Sequence, residues 1–288
     1  MPAHVPASSL QLAPGVRVVA RGTDRLQVGL HDGRRLVVRR SPAADRLLAD
    51  LAHGHVVAPE AADRAAATAA LLDRLRAARL VVSVDEVVRA RAARRDTRVL
   101  VTVAGPGRAP VVDELDGLLH RAGLGRSATR RRADVALVVT VGEVRRELLD
   151  PLVRADLDHL VVRLVDGGAV LGPFVQPGRT PCLRCVDAHR TVADPDHVPV
   201  TARYVQATAQ PGPSGASDLP DPVLATEALA AAVRDLVAHA DGREPATRCH
   251  TIRVGPEPTD RSITRWSMHP RCGCSLLGDL GLSGTMGA

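Results

Sequence analysis

Two short cysteine pairs constrain the fold of this chain more than any other feature. Cys182 and Cys185 lie in the segment PCLRC, Cys272 and Cys274 lie in PRCGC, and residues 186–271 separate the two pairs. A tetrahedral zinc ion takes four soft ligands, which two short cysteine-bearing turns from distant segments can supply. The spacing therefore predicts a zinc site that fixes the C-terminal part of the chain against its middle.

Four free buried thiols, or two disulfides across the same distance, are the alternatives to a metal. Disulfides are typical of exported proteins. The first residues, MPAHVPASSLQLAPG, lack the cationic start and the long apolar run of a secretory signal, so we expect a cytoplasmic protein whose reduced thiolates bind metal. Because all four ligands come from the protein, no coordination position stays open, and the predicted zinc is structural rather than catalytic.

Composition limits the chemistry that the chain can perform. Its 288 residues, 45% of them hydrophobic, suffice for about two domains. Its apolar runs are far shorter than the ~20 residues of a membrane span. Aromatic residues make up 1%, which disfavours the base stacking used by readers of single-stranded nucleic acid. The sequence contains no lysine, which excludes Schiff-base catalysis and a phosphate-loop lysine.

The net charge is +6, and all of the basic residues counted in it are arginines. Such an excess fits the binding of nucleic acid or acidic peptides, or it reflects an arginine-rich solvated surface and nothing more. The densest cluster, residues 130–132, precedes a valine-rich strand and is interpreted as a solvated loop.

Residues 1–90 are predicted to form a small winged-helix-like α+β domain. Its segments VRVVARG, RLQVGLHDG and RRLVVRR, within residues 16–40, predict an antiparallel β-meander. Ser41 and Pro42 indicate the start of a helix that Gly54 ends. A second helix over residues 59–78, with Ala66, Ala70 and Leu71 on one face, leads to a strand over residues 80–84. The arginine-rich residues 85–96 are interpreted as a helical or flexible connector.

Residues 96–288 are predicted to form a Rossmann-like α/β domain. Its opening segment, TRVLVTVAGPG, predicts a buried strand that runs into a glycine-rich turn. The alternation of strands and helices that follows favours a doubly wound parallel sheet, and AVLGPFVQPG predicts an antiparallel return. The predicted helices span residues 110–121, 144–154 and 222–240. The predicted strands span 135–141, 160–164, 250–254 and 262–268, and residues 210–221 are interpreted as a mobile crossover loop.

The segments LGPFVQPGRTPCLRCVDAHR, residues 171–190, and WSMHPRCGC, residues 266–274, resemble the ThiF-like superfamily, the fold of ubiquitin-activating and sulfur-carrier adenylating enzymes. More narrowly, they are similar to the branch that serves cyclodehydratases in azoline-containing peptide biosynthesis. The resemblance covers about residues 97–274. More weakly it extends to the N-terminal segment, which is similar to the peptide-recognition element of such proteins. It implies a homodimer as the default expectation.

In that superfamily the first glycine-rich loop holds ATP, and an arginine, a lysine and aspartates handle the triphosphate and magnesium. Here the candidate nucleotide contacts are Gly105, Gly107 and Arg108 in the segment AGPGR. The third glycine and the acidic residue about 20 positions further on are missing. Pro106 and Pro110 each lack an N–H that would bind phosphate. We therefore predict that the sheet keeps the fold and has lost the adenylation site, so that binding of ATP is doubtful.

Several further side chains leave alternatives open. A conjugating member of the superfamily needs a nucleophilic cysteine, and Cys249 is either that nucleophile or a small buried thiol. His189 and His269 either orient a thiolate by hydrogen bonding or lie on a helix surface and in a turn. Trp266, the single tryptophan, is expected to pack near the cysteines.

An exposed strand edge in the N-terminal domain would bind an extended leader peptide as an added strand. The arginines expected to surround that edge would attract an acidic leader; they are Arg25, Arg34, Arg35, Arg39 and Arg40.

Three functions from different classes therefore compete. The first is a non-catalytic scaffold that binds a precursor leader peptide and presents it to a separate ATP-using cyclodehydratase. The second is a ThiF-type adenylyltransferase with an altered pocket, which would activate a peptide or carrier-protein carboxylate. The third is a DNA-binding regulator that uses the winged helix, whose affinity for duplex DNA would fall steeply with salt.

Overall fold

A computed structural model describes residues 9–54, 66–208 and 221–274 of the chain. The chain divides into two compact units, Met1–Ala92 and Ala93–Ala288. In the described ranges, none of the helices combines the length and the apolar character needed to span a membrane.

The first unit combines short strands with two packed helices. Its strands are β1 (Leu10–Leu12), β2 (Val18–Arg21), β3 (Arg25–Val28), β4 (Leu36–Arg39) and β5 (Val81–Ser83), and its helices are α1 (Pro42–His53), α2 (Ala66–Ala77) and α3 (Val84–Asp96), the last of which continues into the second unit.

The predicted meander is confirmed as an antiparallel sheet of β2, β3 and β4. Alternation along these strands buries one face, on which Leu26 lies opposite Val38 and Val28 lies opposite Leu36. The N-cap of α1 is also as predicted, because Ser41 Oγ accepts a hydrogen bond of 3.2 Å from the amide of Ala44. Gly54 ends the helix in the left-handed conformation, with φ of 71°.

Other parts of the first unit differ from the prediction. The structure adds β1, which pairs antiparallel with β5; its three residues carry no turn signal that would mark it as a strand. Among the side chains of α2 that the structure describes, Thr68, Leu71, Leu72 and Leu75 are buried, whereas Ala70, predicted on that face, is exposed. The side chain of Ala66, also predicted there, lies outside the described part. The first part of the predicted second helix, residues 59–65, lies outside the described residues. The winged-helix assignment stays a prediction.

The second unit alternates strands and helices around one sheet. Its strands are β6 (Arg98–Ala104), β7 (Gly125–Ser127), β8 (Val135–Val141), β9 (His159–Val165), β10 (Gly168–Val175), β11 (His250–Val254) and β12 (Arg261–Arg265). Its helices are α4 (Ala109–Ala122), α5 (Asp150–Arg154), α6 (Leu183–Ala193), α7 (His197–Thr208) and α8 (Pro222–Ala240).

The seven strands lie in the order β12-β11-β10-β9-β8-β6-β7. Strands β7, β6, β8 and β9 are parallel, and β10, β11 and β12 are added by antiparallel pairing. The change of direction occurs at Asp166 and Gly167, which have φ of 55° and 69°. A two-residue Asp-Gly turn with both φ positive is a favoured hairpin connection. The predicted parallel pairing thus holds for β7, β6, β8 and β9. The predicted antiparallel return is β10, with which the antiparallel part of the sheet begins.

Helices from the first and the last part of the unit's sequence cover the sheet with apolar side chains. Helices α4 and α8 pack over it with Leu115, Leu119, Leu229 and Leu236 in one buried cluster. A second cluster joins α6, through Leu183 and Val186, to strands β8 and β9. The predicted single helix over residues 144–154 is wrong: a 3₁₀ turn, Arg146–Leu148, precedes the short α5. Pro151 lies in the first turn of α5, where its missing N–H needs no partner within the helix, so the sequence permits a new helix to begin just before it.

Helix α7, strand β7 and the 3₁₀ turn at Arg130–Arg132 were not predicted. The helix has no fully buried side chain, so it lacks the apolar periodicity that would reveal it. The last predicted strand is shorter than expected, since β12 ends at Arg265 and the chain then turns towards the second cysteine pair. The predicted crossover loop lies almost entirely in residues 209–220, outside the described part.

Candidate functional site

The structure brings the four predicted cysteines together. Cys182 is the N-cap of α6 and Cys185 lies in its first turn, so the helix start fixes one pair. Cys272 and Cys274 approach from the turn that follows β12. The four Sγ atoms all lie within 4.8 Å of one another, and three of the four residues are buried.

The backbone around the second pair is shaped to deliver its thiols. The amide of Cys272 donates a 2.9 Å hydrogen bond to the carbonyl of His269. Gly273 has φ of 73°, which the turn between the two cysteines needs and glycine adopts without strain. The amide of His269 itself donates to Cys185 Sγ at 3.3 Å, which ties the two pairs together.

The sulfur separations fit a tetrahedral metal. The Sγ distances are 3.8 Å for Cys182–Cys185, 3.4 Å for Cys182–Cys272 and 3.3 Å for Cys185–Cys274. Four thiolates around one zinc ion lie about 3.8 Å apart, given Zn–S bonds of about 2.3 Å. A disulfide needs about 2.05 Å. The geometry therefore favours a cluster that can hold a metal over two disulfides.

The thiols perturb one another strongly. The hydrogen bond that Cys182 donates to Cys185 raises the pKa of Cys182 and lowers that of Cys185. The hydrogen bond with Cys182 is also the first cause that lowers the pKa of Cys272 to about 7. Metals bind the thiolate form of cysteine, which the lowered pKa values of Cys185 and Cys272 favour.

Of the two alternatives for the neighbouring histidines, the structure favours a position on a helix and in a turn. His189 lies on α6, with Nε2 3.0 Å from the carbonyl of Ser267, and its ring stands edge-on to His269 at 4.8 Å. The hydrogen bond that His269 makes to a cysteine sulfur comes from its backbone and not from its imidazole. Trp266 donates from Nε1 to Thr251 Oγ1 at 2.9 Å and packs partly buried, as expected. Cys249 is half-buried with φ of 60° and is not part of the cluster.

The predicted nucleotide loop forms a tight corner between β6 and α4. A Cβ atom on Gly105, which has φ of 105°, would lie 2.3 Å from the carbonyl oxygen of Val141. Gly107 also has positive φ, at 62°. Arg108 occupies the N-cap of α4 but makes no side-chain capping hydrogen bond with any residue that the structure describes. Gly105 is therefore explained by the close approach of this corner to β8, and Gly107 by its positive φ.

A cavity of about 380 Å³ opens at this end of the parallel strands, where open α/β sheets commonly bind ligands. Two carboxylates, Glu143 and Glu147, line it together with a single guanidinium, that of Arg145. Helix α7 forms another wall through Val205 and Thr208.

A buried ion network that the sequence did not reveal lies beneath this cavity. Arg163 is 2% exposed and donates to Glu143 Oε2 at 3.0 Å. Arg146 donates to Glu143 at 2.8 Å and to both oxygens of Asp187 at 2.7 and 2.8 Å. His197 Nε2 lies 3.4 Å from the same aspartate. The sequence does contain one sign of this network, because a single arginine stands inside the apolar strand segment LVVRLV.

Burial opposes ionisation of Glu143, but the guanidinium groups of Arg163 and Arg146 outweigh it and lower the pKa of that carboxyl. Burial also lowers the pKa of Arg163, which Glu143 partly offsets. Within the described chain, Arg163 Nε and Nη2 have no hydrogen-bond partner. The network therefore depends on Glu143 to neutralise a guanidinium that water does not reach.

Two of the predicted peptide-binding arginines, Arg25 and Arg39, belong to a row of arginines across the sheet of the first unit. Arg25 on β3 lies directly opposite Arg39 on β4 and opposite Arg21 on β2. All three side chains are exposed. Arg25 thus lies on the central strand, one strand in from the edge. Arg21 belongs to the same row but was not among the arginines predicted from the sequence.

The other three predicted arginines flank β4 and make internal contacts. Arg34 Nη2 donates to the carbonyl of Arg79 at 2.8 Å, and Arg35 pairs with Asp32 at 3.1 Å. Arg40 pairs with Asp45 at 2.9 Å. Four of the five predicted residues therefore lie at or beside one edge strand.

Comparison with known proteins shows the fold. No family model matches the chain, and no curated protein matches its sequence. The heterocyclase TruD superposes with a TM-score of 0.68 at 18% identity, over 93% of this chain and 43% of its own. A heterocyclase in complex with substrate and cofactor gives 0.66 at 15%, over 92% and 39%. E. coli MccB gives 0.60 at 12%, over 93% and 97%.

At these identities the likeness establishes a shared fold. The chain spans less than half the length of the two heterocyclase chains and nearly all of MccB.

Proposed function

We propose that this chain binds the leader segment of a precursor peptide and presents it to a separate ATP-using cyclodehydratase. The observation that carries the proposal is the row formed by Arg21, Arg25 and Arg39 on the exposed face of the first unit. Like charges directly opposite on neighbouring strands are destabilising. Arg25 also pairs with Asp24 at 3.8 Å, so the row of three keeps an excess of positive charge that an anionic partner would neutralise.

Strand β4 is the proposed binding edge. It pairs with β3 on one side, and on its other side no described strand pairs with it. An extended peptide that adds to this edge gains main-chain hydrogen bonds, and acidic side chains on it would meet Arg39 and the row behind. This assigns leader recognition to residues 1–90, as the sequence predicted.

The structural neighbours are consistent with a peptide substrate. One neighbouring heterocyclase was solved with substrate and cofactor, and MccB was solved together with MccA. We propose that the cyclodehydratase activity itself comes from a separate protein. The two prolines in the loop and the missing third glycine support a scaffold that does not itself use ATP.

A ThiF-type adenylyltransferase is the second candidate. It is favoured by the near end-to-end match to MccB, which has also been solved with AMPCPP and MccA. Magnesium-dependent binding of ATP to the chain alone, and pyrophosphate exchange stimulated by a peptide, would establish this activity. Neither is expected if the scaffold proposal is correct.

The metal proposed for the four-cysteine cluster is zinc. Four thiolates in tetrahedral spacing are typical of structural zinc sites. Zinc there would join the start of α6 to the turn after β12.

Calorimetry on the full zinc-loaded chain tests leader binding. The probes are synthetic leader peptides taken from short open reading frames next to the gene. We expect one of them to bind, and Arg39→Glu to weaken it about tenfold or more. Arg74→Glu, at an exposed arginine of α2 in the same unit, is the matched control and should bind as the unmodified protein does. Equal binding by both variants would contradict the proposal.

A further inference from the structure

Strand β12 ends the sheet of the second unit with an unusual surface. It pairs with β11 on one side, and no other described strand lies on its outer side. All five of its side chains, from Arg261 to Arg265, are exposed. An edge strand of this kind presents N–H and C=O groups that can pair with another chain.

A row of apolar side chains, one on each of three neighbouring strands, extends to this edge. Leu171 on β10 lies opposite Ile252 on β11, and Ile252 lies opposite Ile263 on β12. Their exposure increases outwards, from 1% at Leu171 through half-buried Ile252 to 69% at Ile263. Ile263 therefore continues the row of core residues into solvent, at a place where one more strand would cover it.

Arginines flank this isoleucine on the same face. Side chains two residues apart on a strand point the same way, so Arg261 and Arg265 stand on either side of Ile263. Arg261 contacts Glu227 of α8. Arg265 has no carboxylate partner among the residues of the described ranges, whereas Arg253 on β11 pairs with Asp260 at 2.9 Å. The edge thus presents an apolar centre with one guanidinium on each side, of which Arg261 already contacts Glu227 and Arg265 has no carboxylate partner in the described ranges.

These charges argue against a second copy of the chain as the occupant. Two copies of β12 paired antiparallel about Ile263 would place Arg261 of each opposite Arg265 of the other. Both resulting pairs are of like charge and destabilise the contact. An occupant with a carboxylate opposite Arg265 would gain a new ion pair, and one opposite Arg261 would share that guanidinium with Glu227.

We propose that the outer edge of β12 binds one extended acidic segment of a partner protein. The segment has an apolar residue opposite Ile263 and Asp or Glu two residues to either side. Main-chain hydrogen bonds to the edge provide the pairing, and the three side chains of β12 select the sequence. This site lies in the second unit and is independent of the leader site proposed on β4.

The probe is a capped seven-residue peptide, Thr-Glu-Thr-Ile-Thr-Glu-Thr, compared with the same peptide carrying lysine for both glutamates. Binding to the full zinc-loaded chain is measured by calorimetry. We expect the acidic peptide to bind about tenfold more tightly or better, and Arg265→Glu to abolish this preference. Hydrogen exchange should show protection of residues 261–265 by the acidic peptide.

Arg131→Glu is the matched control, since it makes the same charge change at an exposed arginine beyond β7, at the other end of the sheet. It should leave the preference unchanged. Equal binding of the two peptides, or an unchanged preference in Arg265→Glu, would overturn the proposal. So would a peptide-free dimer that Ile263→Asp dissociates, because the edge would then belong to a second copy. Retained metal content shows that each variant is folded.

Discussion

Four thiols from two distant segments meet at the start of α6, and a fifth lies elsewhere in the same unit. The spacing of the two pairs was enough to predict the group, because only a shared ligand or bond explains paired cysteines of this kind. The sequence did not predict that the amide of His269 would bind Cys185 Sγ, since backbone direction is set by the turn and not by residue type.

Replacing one ligand should remove the metal. We expect the purified protein to contain about one zinc per chain, and Cys272→Ser to lower this to near zero, because three thiolates with an open position hold zinc less tightly. Metal is measured by mass spectrometry. Cys249→Ser is the matched control, since Cys249 lies outside the cluster, and full zinc content is expected. Loss of zinc in both variants would disprove the assignment.

The carboxylate of Glu143 is expected to be essential to stability. Glu143→Gln leaves the guanidinium of Arg163 buried without a counter-charge, which typically costs about 3 to 5 kcal/mol. Unfolding in urea measures the loss. Glu147→Gln, at an exposed carboxylate lining the same cavity, is the control and should change stability little.

The same network sets the response to acid. The pKa values of Glu143 and Asp187 are lowered in the folded protein, Asp187 against its burial and through its bonds to Arg146. Their stabilising contribution is therefore complete above about pH 4, the ordinary range of unfolded carboxyls, and is lost as pH falls below it. Urea unfolding between pH 6 and 3 should show a smaller loss in Glu143→Gln. An unchanged pH dependence would contradict the role of this residue.

Elements with strong periodicity were predicted well, and elements fixed by tertiary contacts were not. Strand β8, with seven buried residues in a row, and helix α8, which buries a long face, match their predicted bounds. Strand β7 and helix α7 were missed because one is three residues long and the other buries no side chain completely. The segment after β8 was predicted as one helix because the sequence does not show that Arg146 turns inward to Glu143 and Asp187.

The corner between β6 and α4 should not tolerate a side chain. In Gly105→Ala the new Cβ would meet the carbonyl oxygen of Val141 at 2.3 Å, in addition to the cost of positive φ. We expect a loss of about 1 to 3 kcal/mol. Gly123→Ala, at the end of α4, is the control for φ alone, because it has φ of 78° and nothing within 4 Å. Thermal unfolding of both variants separates the cost of the contact with Val141 from the cost of positive φ. Equal losses would show that the contact with Val141 is unimportant.

At the level of the whole chain, the cysteines confine the metal to one of two units. All five lie after residue 180, in the second unit. Chelation should therefore lower the melting temperature of that unit by about 10 °C or more, since a structural zinc contributes several kcal/mol and each shifts the transition by about 2 to 4 °C. Calorimetry with and without chelator measures this. A transition of the first unit should stay in place, and a shift of that transition alone would contradict the assignment.

The overall α/β class followed from the alternation of strands and helices, whereas the order of the antiparallel strands did not. Pairing of β10 with β11 depends on contacts across some eighty intervening residues, and no local signal specifies it. The arginine row proposed as the leader site could not be predicted for the same reason. Arg21, Arg25 and Arg39 are scattered in sequence, and only the register of the meander places them opposite one another.

The single tryptophan of this chain lies where the second unit closes on its cysteines. Its ring is 6.1 Å from that of His189 and has the guanidinium of Arg190 5.6 Å from its centre. His189 in turn stands against His269, whose amide binds Cys185. Intrinsic fluorescence excited at tryptophan therefore reports on this one place without any label. Uptake and release of the zinc proposed for the cluster are expected to change this emission, so that they can be followed optically in the unmodified protein.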